Sequence, residues 1–143
     1  MIALLNNKFF VLFLAPFLLG AITILGFAPY NLTFINFFTF SILLFLILKV
    51  KKRTESIFRK KKLRRYFFYL GCAFGFGFFL FGNYWISISL THDEMFKGLI
   101  PFALVLIPLF LSLFFGLTIL LVGTFAEKNI SFILLFSLVF SVF

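Results

Sequence analysis

The sequence predicts an all-α integral membrane protein with four complete transmembrane helices and a truncated fifth. Hydrophobic residues make up 64% of the 143 residues and charged residues only 12%, which is outside the range of water-soluble domains. The apolar residues lie in runs close to the ~20 residues that a helix needs to cross a bilayer. Most of the basic residues lie together between two of these runs, as in the cytoplasmic loops of membrane proteins.

The first two apolar runs, residues 9–27 and 32–48, predict a tight antiparallel hairpin of helices. The turn between them contains Pro29, which ends one helix, and Asn31, which can cap the next. The first run exceeds the usual ~7–15 apolar residues of a signal peptide, so we expect it to remain in the protein as a helix. We expect Pro16 to kink that helix.

Two further complete spans are predicted at residues 66–90 and 99–126, with an expected kink at Pro108. A fifth apolar run, residues 130–143, would rise only about 21 Å as a helix, against a hydrocarbon core of ~30 Å. This run is apolar all round, which makes a helix lying in the membrane surface the weaker alternative. We therefore expect residues 1–143 to form the N-terminal transmembrane domain of a longer protein.

The basic residues orient the predicted helices. The net charge is +9, and ten of the 13 Lys and Arg residues lie between Lys49 and Arg65. Because cytoplasmic loops retain Lys and Arg, residues 49–65 predict a basic cytoplasmic loop and a cytoplasmic N-terminus in a multi-pass membrane protein. Such a cluster also attracts anionic lipid headgroups. We expect no nucleic-acid partner, because no base-stacking or groove-reading module accompanies the charge.

The sequence predicts no catalytic residue, metal site or cofactor within this chain. Cys72 is the only cysteine and lies among apolar residues, where a small buried thiol is a better interpretation than a nucleophile. His92, Asp93 and Glu94 are adjacent in one short loop. Three neighbours in a loop rarely converge on a metal ion, so a solvated loop is the better interpretation.

The third span carries four glycines, which destabilise a helix relative to alanine and so predict close approach by another helix. At about 100° per residue, one narrow stripe of this helix holds Gly71, Gly75, Gly82, Trp85 and Ser89. Asn83 and Ser87 lie on a second, polar face. Polar residues in the second span are expected to face a neighbouring helix or a wet cavity; they are Asn36, Thr39 and Ser41.

Two motifs carry a resemblance to a known family. The first is Leu25-Gly-Phe-Ala-Pro-Tyr-Asn31, and the second is Gly75-Phe-Gly-Phe-Phe-Leu-Phe-Gly-Asn-Tyr-Trp-Ile-Ser-Ile-Ser89. In this order, with a basic loop between them, they resemble the bacterial apolipoprotein N-acyltransferases. The family's patterns are an Ala-Phe-(Ala/Ser)-Pro-(Tyr/Phe) turn and a Gly-Phe-Gly-x-Phe-x-x-Gly-x-x-Trp-x-x-x-Ser helix. The chain departs from them at Ser87, where an aromatic residue is usual, and at Lys97, which replaces a glycine of the following loop.

The resemblance implies an enzyme that transfers an acyl chain from a membrane phospholipid to the N-terminal cysteine of an apolipoprotein. Family members work through a thioester on a catalytic cysteine, with a glutamate base and a lysine that stabilises the oxyanion. That Glu-Lys-Cys set belongs to a nitrilase-like domain that follows in the family. The resemblance thus implies that residues 1–143 anchor the enzyme and admit lipid, and are inactive alone.

The candidates for lipid access or helix packing lie in the first turn and in the third span. They are Pro29, Tyr30, Gly75, Gly82, Asn83, Tyr84, Trp85 and Ser89. For Tyr84 and Trp85, an aromatic belt that anchors the helix at the interface is an equally simple interpretation.

A small non-enzymatic membrane protein, either a transporter fragment or a lipid-binding scaffold, is the alternative function. No predicted span carries a charged residue near its middle, which argues against ion-coupled transport.

Overall fold

The helices are seen in a computed structural model, which describes residues 7–55, 60–84, 98 and 100–125. Within these ranges the elements are helical. A π-helical turn, Phe10–Leu14, leads into α1, Ala15–Thr23, which ends in a 3-10 turn, Ile24–Gly26. Then follow α2, Phe34–Glu55, α3, Lys60–Gly82, and α4, Ile100–Phe125. The predicted all-α class is confirmed for the residues described.

Among the described residues, three helices are long and apolar enough to cross a membrane, through the segments Phe34–Lys52, Leu63–Gly82 and Ile100–Gly123. The apolar segment Phe10–Gly26, which corresponds to the first predicted span, is shorter. The predicted fifth span, residues 130–143, and the loop with His92, Asp93 and Glu94 lie outside the described residues.

Helix α3 lies at the centre of the bundle and contacts α1, α2 and α4. Its apolar side chains Phe67, Leu70 and Phe74 are completely buried. They join one core with side chains of α2 and α4; the fully or almost fully buried members there are Leu43, Ile47, Ile119 and Val122. The position of α3 follows from its glycines, because only a helix with few bulky side chains on several faces can accept close neighbours on each of them.

The two prolines expected to kink their helices have different surroundings. Pro16 is buried and follows the π-helical turn, where the N–H of Ala15 donates to the carbonyl of Phe10. A proline ring clashes with the carbonyl four residues earlier, and a wider turn just before the proline accommodates that ring. Pro108 lies inside α4, which continues from Ile100 to Phe125.

The prediction that residues 49–65 form a loop is wrong over most of that segment. Helix α2 continues through Lys49 to Glu55, and α3 begins at Lys60. Lys, Arg and Glu favour the helix, and the segment contains neither Gly nor Pro to end it. The cations described there are therefore held on two helices.

The turn between α1 and α2 is closed by backbone hydrogen bonds. The N–H of Leu32 donates to the carbonyl of Leu25, and that of Asn31 to Phe27, each at 3.0 Å. The Ala28–Pro29 peptide is cis, and Asn31 has a φ of 54°, a left-handed conformation that asparagine tolerates better than most residues. Helix α2 begins only at Phe34, so Asn31 shapes the turn and does not cap α2 as predicted.

Candidate functional site

The turn between α1 and α2 and the last residues of α3 lie at the same end of the bundle. The rings of Phe27 and Phe78 meet edge to face with their centroids 5.8 Å apart. One turn further along α3, a Cβ placed on Gly82 would lie 3.7 Å from the Cδ1 of Ile24. This end of the bundle, with the turn Phe27 to Thr33 and the helix end Gly82 to Tyr84, is called the turn end below.

Besides Gly82, four of the predicted site residues lie at the surface of the turn end or just beneath it. Pro29 is exposed, and Tyr30 and Tyr84 are 61% and 59% exposed. Asn83 is half-buried, and its backbone N–H donates to the carbonyl of Phe79 at 2.9 Å. The structure thus brings two exposed tyrosines to one end of the bundle. Trp85 and Ser89 lie outside the described residues.

Gly75 lies elsewhere, in the contact between α3 and α4. A Cβ placed on it would be 2.9 Å from the Cβ of Phe115 and 3.0 Å from the Cα of Ser112. Gly71, one turn earlier, would meet the Phe115 carbonyl oxygen at 2.6 Å. The predicted stripe of Gly71, Gly75 and Gly82 therefore meets two neighbours: α4 at its start, and the 3-10 turn after α1 at Gly82.

The closest approach of α1 to α3 involves two other glycines. A Cβ on Gly77 would overlap the carbonyl oxygen of Phe17, and one on Gly20 would overlap that of Phe74. The sequence-based candidates do not include Gly20. A glycine inside an apolar helix, which predicts close approach by another helix, is the sequence signal that could identify it.

Cys72 also belongs to the α3–α4 contact. It is half-buried, and a Cβ on Gly116 would lie 2.5 Å from its Sγ. Ser112 and Gly116 are four residues apart on α4, the spacing of small residues at membrane helix contacts. The thiol therefore packs between two helices, as expected from its apolar surroundings.

Asn36 is a polar residue in the first turn of α2, next to the turn end, and the sequence does not reveal its surroundings. Its side-chain carboxamide packs against Gly26. Its Oδ1 is buried and has no hydrogen-bond partner. Among the buried side-chain polar atoms of the described residues, it is the one that lacks a partner. By contrast, the buried hydroxyls of Thr23, Thr39 and Ser112 each donate to a carbonyl of their own helix, at 2.7, 3.1 and 2.6 Å.

The described residues expose many large apolar side chains. They contain no group of three His, Cys, Asp or Glu side chains that could hold a metal ion. The turn end instead combines exposed aromatic rings with amide and hydroxyl groups. Such a surface suits the boundary between lipid and water, where aromatic rings with polar edges concentrate.

Comparison with known proteins identifies the family. Residues 19–143 match the family described as the apolipoprotein N-acyltransferase N-terminal domain. The apolipoprotein N-acyltransferase of Rickettsia typhi is 37% identical over 130 residues, which cover 89% of this chain and 23% of that protein. That of Brucella melitensis is 35% identical over 106 residues, or 72% of this chain and 19% of the relative. That of Rhizobium rhizogenes is 32% identical over 109 residues, or 76% and 20%.

The chain thus spans about a fifth of the length of these curated relatives. No solved structure matches it. Both motifs described above, the turn from Leu25 to Asn31 and the glycine-rich part of α3, fall inside the matched residues. This chain belongs to the family of the apolipoprotein N-acyltransferase N-terminal domain.

Proposed function

We propose that this chain is the membrane-anchoring and lipid-access part of an apolipoprotein N-acyltransferase. The match over residues 19–143 carries the proposal. Under this proposal, residues 1–143 supply four complete spans and part of a fifth to a multi-pass protein of the bacterial inner membrane. The N-terminus is cytoplasmic, and the turn end faces the outer side.

The reaction transfers an acyl chain from a phospholipid to the N-terminal cysteine of an apolipoprotein. Its Glu-Lys-Cys set belongs to the nitrilase-like domain that the family resemblance implies, and residues 1–143 alone are inactive. Cys72 is not the nucleophile, because its thiol packs against α4 at Gly116 and therefore does not face an apolipoprotein. Its role is to fill the contact between two helices.

The turn end shapes a lateral opening for the acyl donor. Two features support this role: the exposed rings of Tyr30 and Tyr84 lie at the same end, and the Phe27–Phe78 contact fixes the turn against α3. Pro29 and Asn83 complete the described part of this surface. Trp85 and Ser89 are assigned to the same opening from the sequence motif alone.

A chimera tests this role. Residues 1–143 replace the corresponding part of the Rickettsia typhi relative, and the product is expressed in a strain depleted of its own acyltransferase. We expect the chimera to restore N-acylation of lipoproteins, measured by mass spectrometry of their N-terminal peptides, and residues 1–143 alone to restore none. Rescue by residues 1–143 alone would contradict the assignment of the chemistry to another domain.

The same chimera tests the turn end. Tyr30→Ala combined with Tyr84→Ala is expected to lower the acylation rate about tenfold, which corresponds to ~1.4 kcal/mol in lipid positioning. Tyr69→Ala is the control, because Tyr69 is also exposed and lies in the half of α3 near the basic residues. Equal rates in the two variants would exclude a role of the turn end in lipid access.

The proposed orientation predicts opposite accessibility for two sites. After Cys72→Ala, a cysteine placed at Asp93 should react with a membrane-impermeant maleimide in intact spheroplasts, because this loop is assigned to the outer side. A cysteine inserted after Lys62 should react only after the membrane is opened. The reverse pattern would invert the topology.

A further inference from the structure

The end of the bundle opposite the turn end carries a cluster of cations on two helices. Lys49, Lys51 and Lys52 lie on α2, and Arg64 and Arg65 lie on α3. We propose that this basic end is a defined binding site for anionic phospholipid headgroups, held by Lys52, Arg64 and Arg65. It is distinct from the acyl-donor opening and does not depend on the acyltransferase assignment.

The cations are held by packed helices. Val50, between Lys49 and Lys51, is only 6% exposed, and Phe67, two residues after Arg65, is completely buried. Both belong to the bundle core, and Leu63 and Tyr66 pack against it. The backbones that carry the cations are therefore ordered before any lipid binds, so binding has to order only their side chains.

The hairpin places cations of both helices at one height. Helix α2 begins at the turn end and α3 ends there, so the two helices run in opposite directions. The rings of Phe40 on α2 and Phe74 on α3 lie 6.0 Å apart between centroids. Lys52 follows Phe40 by 12 residues and Arg64 precedes Phe74 by 10 residues. At ~1.5 Å per residue the two cations therefore differ in height by about 3 Å. Lys52, Arg64 and Arg65 are also exposed.

The length of α2 brings this end to the depth of the lipid phosphates. Its uncharged part runs only from Phe34 to Leu48. It rises about 22 Å, which is short of the ~30 Å hydrocarbon core. Such a mismatch is met by local thinning of the bilayer and by cationic side chains that extend toward the interface. Lys49 and Lys51 are half-buried, as expected for stems that follow the protein surface toward the headgroups.

Charge complementarity selects the lipid. A cation near the membrane surface favours anionic over neutral lipid by about fivefold. Two guanidinium groups and an ammonium group at one end of the bundle offer several donors to phosphodiester oxygens, and arginine matches these oxygens in a two-point geometry. A zwitterionic headgroup would bring a positive group to the same place. The occupant is therefore a phospholipid with net negative charge.

Lipid retention tests the site. The full chain is reconstituted in vesicles of phosphatidylcholine and phosphatidylglycerol at a ratio of about four to one, then extracted in mild detergent, and its retained lipid is quantified by mass spectrometry. We expect phosphatidylglycerol to be enriched at least about fivefold over the bulk ratio. The triple variant Lys52→Gln, Arg64→Gln, Arg65→Gln should return to the bulk ratio.

A matched triple variant removes the same charge outside the three proposed site residues. Lys8→Gln, Lys97→Gln, Lys128→Gln changes every cation outside the segment Lys49 to Arg65, and it should retain the enrichment. Lys52→Arg, Arg64→Lys, Arg65→Lys should restore most of it. Thermal unfolding in detergent should be unchanged in all three variants, because the changed groups at the basic end are exposed.

Three results would overturn the proposal. They are bulk lipid ratios in the unmodified chain, equal loss in the two charge-removing variants, and displacement of the retained lipid by millimolar inorganic phosphate. The last would mean that the cations bind soluble anions, because a solute competes poorly with a lipid held at membrane depth.

Discussion

Gly77→Ala is expected to lower the free energy of unfolding of the helix bundle by about 3 kcal/mol, at the upper end of the usual range for overpacking. A Cβ at this position would overlap the Phe17 carbonyl oxygen and lie 2.9 Å from the carbonyl carbon. The obstacle is backbone, so no side chain can rotate away. Helix α1 would have to shift as a unit.

A shift of α1 would also disturb the aromatic contacts that join it to α3. Phe17 lies 6.1 Å from Phe76 and 6.2 Å from Phe81 between ring centroids, and Phe27 contacts Phe78 at the turn end. Gly20→Ala should have a similar effect, because its Cβ would overlap the Phe74 carbonyl oxygen and lie 2.8 Å from the Phe78 nitrogen.

Gly82→Ala is the matched control on the same helix. Its Cβ would meet only the Ile24 side chain, at an ordinary van der Waals distance of 3.7 Å. We expect a change within about 0.5 kcal/mol, or a slight gain from helix propensity. The measurement is unfolding by a denaturing detergent, followed by circular dichroism. Equal midpoints for Gly77→Ala and Gly82→Ala would show that α1 and α3 do not approach as closely as described.

The positions of the spans could be predicted from the sequence because lipid excludes charge and unpaired backbone groups. That physical rule sets where apolar runs begin and end, and α2, α3 and α4 each cover most of the described part of a predicted run. The ends differ, because α2 begins at Phe34 and not at residue 32, and α3 ends at Gly82, short of the predicted residue 90. The rule says where lipid ends and nothing about where a helix ends. Hence α2 continues beyond Leu48 into the basic segment, where the run of cations predicts a loop.

The partners of the glycines could not be predicted. Gly77 and Gly82 lie on the same helix and look alike in sequence, but one meets a backbone and the other meets open space beside Ile24. Which of them is crowded depends on where α1 crosses α3, and that crossing is a property of the whole bundle. The buried Oδ1 of Asn36 shows the same limit, because its neighbour Gly26 precedes it by ten residues across a turn.

Gly71→Ala is expected to open the contact between α3 and α4 and to expose Cys72. A Cβ on Gly71 would lie 2.6 Å from the Phe115 carbonyl oxygen and 2.8 Å from the Gly116 Cα. Both atoms are backbone, so α4 must move away. We expect a loss of about 2–3 kcal/mol in the free energy of unfolding. Because Cys72 is the only cysteine, its labelling by a small maleimide in detergent reports the opening directly.

The labelling rate of Cys72 should rise about tenfold or more in Gly71→Ala, because the substitution lowers the free energy of local opening by at least ~1.4 kcal/mol. Gly116→Ala gives an internal comparison, because its Cβ would meet the Cys72 Sγ at 2.5 Å and the Phe68 ring at 3.0 Å, which are side chains. Cys72→Ala should therefore restore much of the stability lost in Gly116→Ala and little of that lost in Gly71→Ala. Two results would contradict this account: equal restoration of stability by Cys72→Ala in the Gly116→Ala and Gly71→Ala variants, or a labelling rate unchanged by Gly71→Ala. Either would mean that the α3–α4 contact accommodates a methyl group against the backbone of Phe115 and Gly116 as easily as against a rotatable thiol.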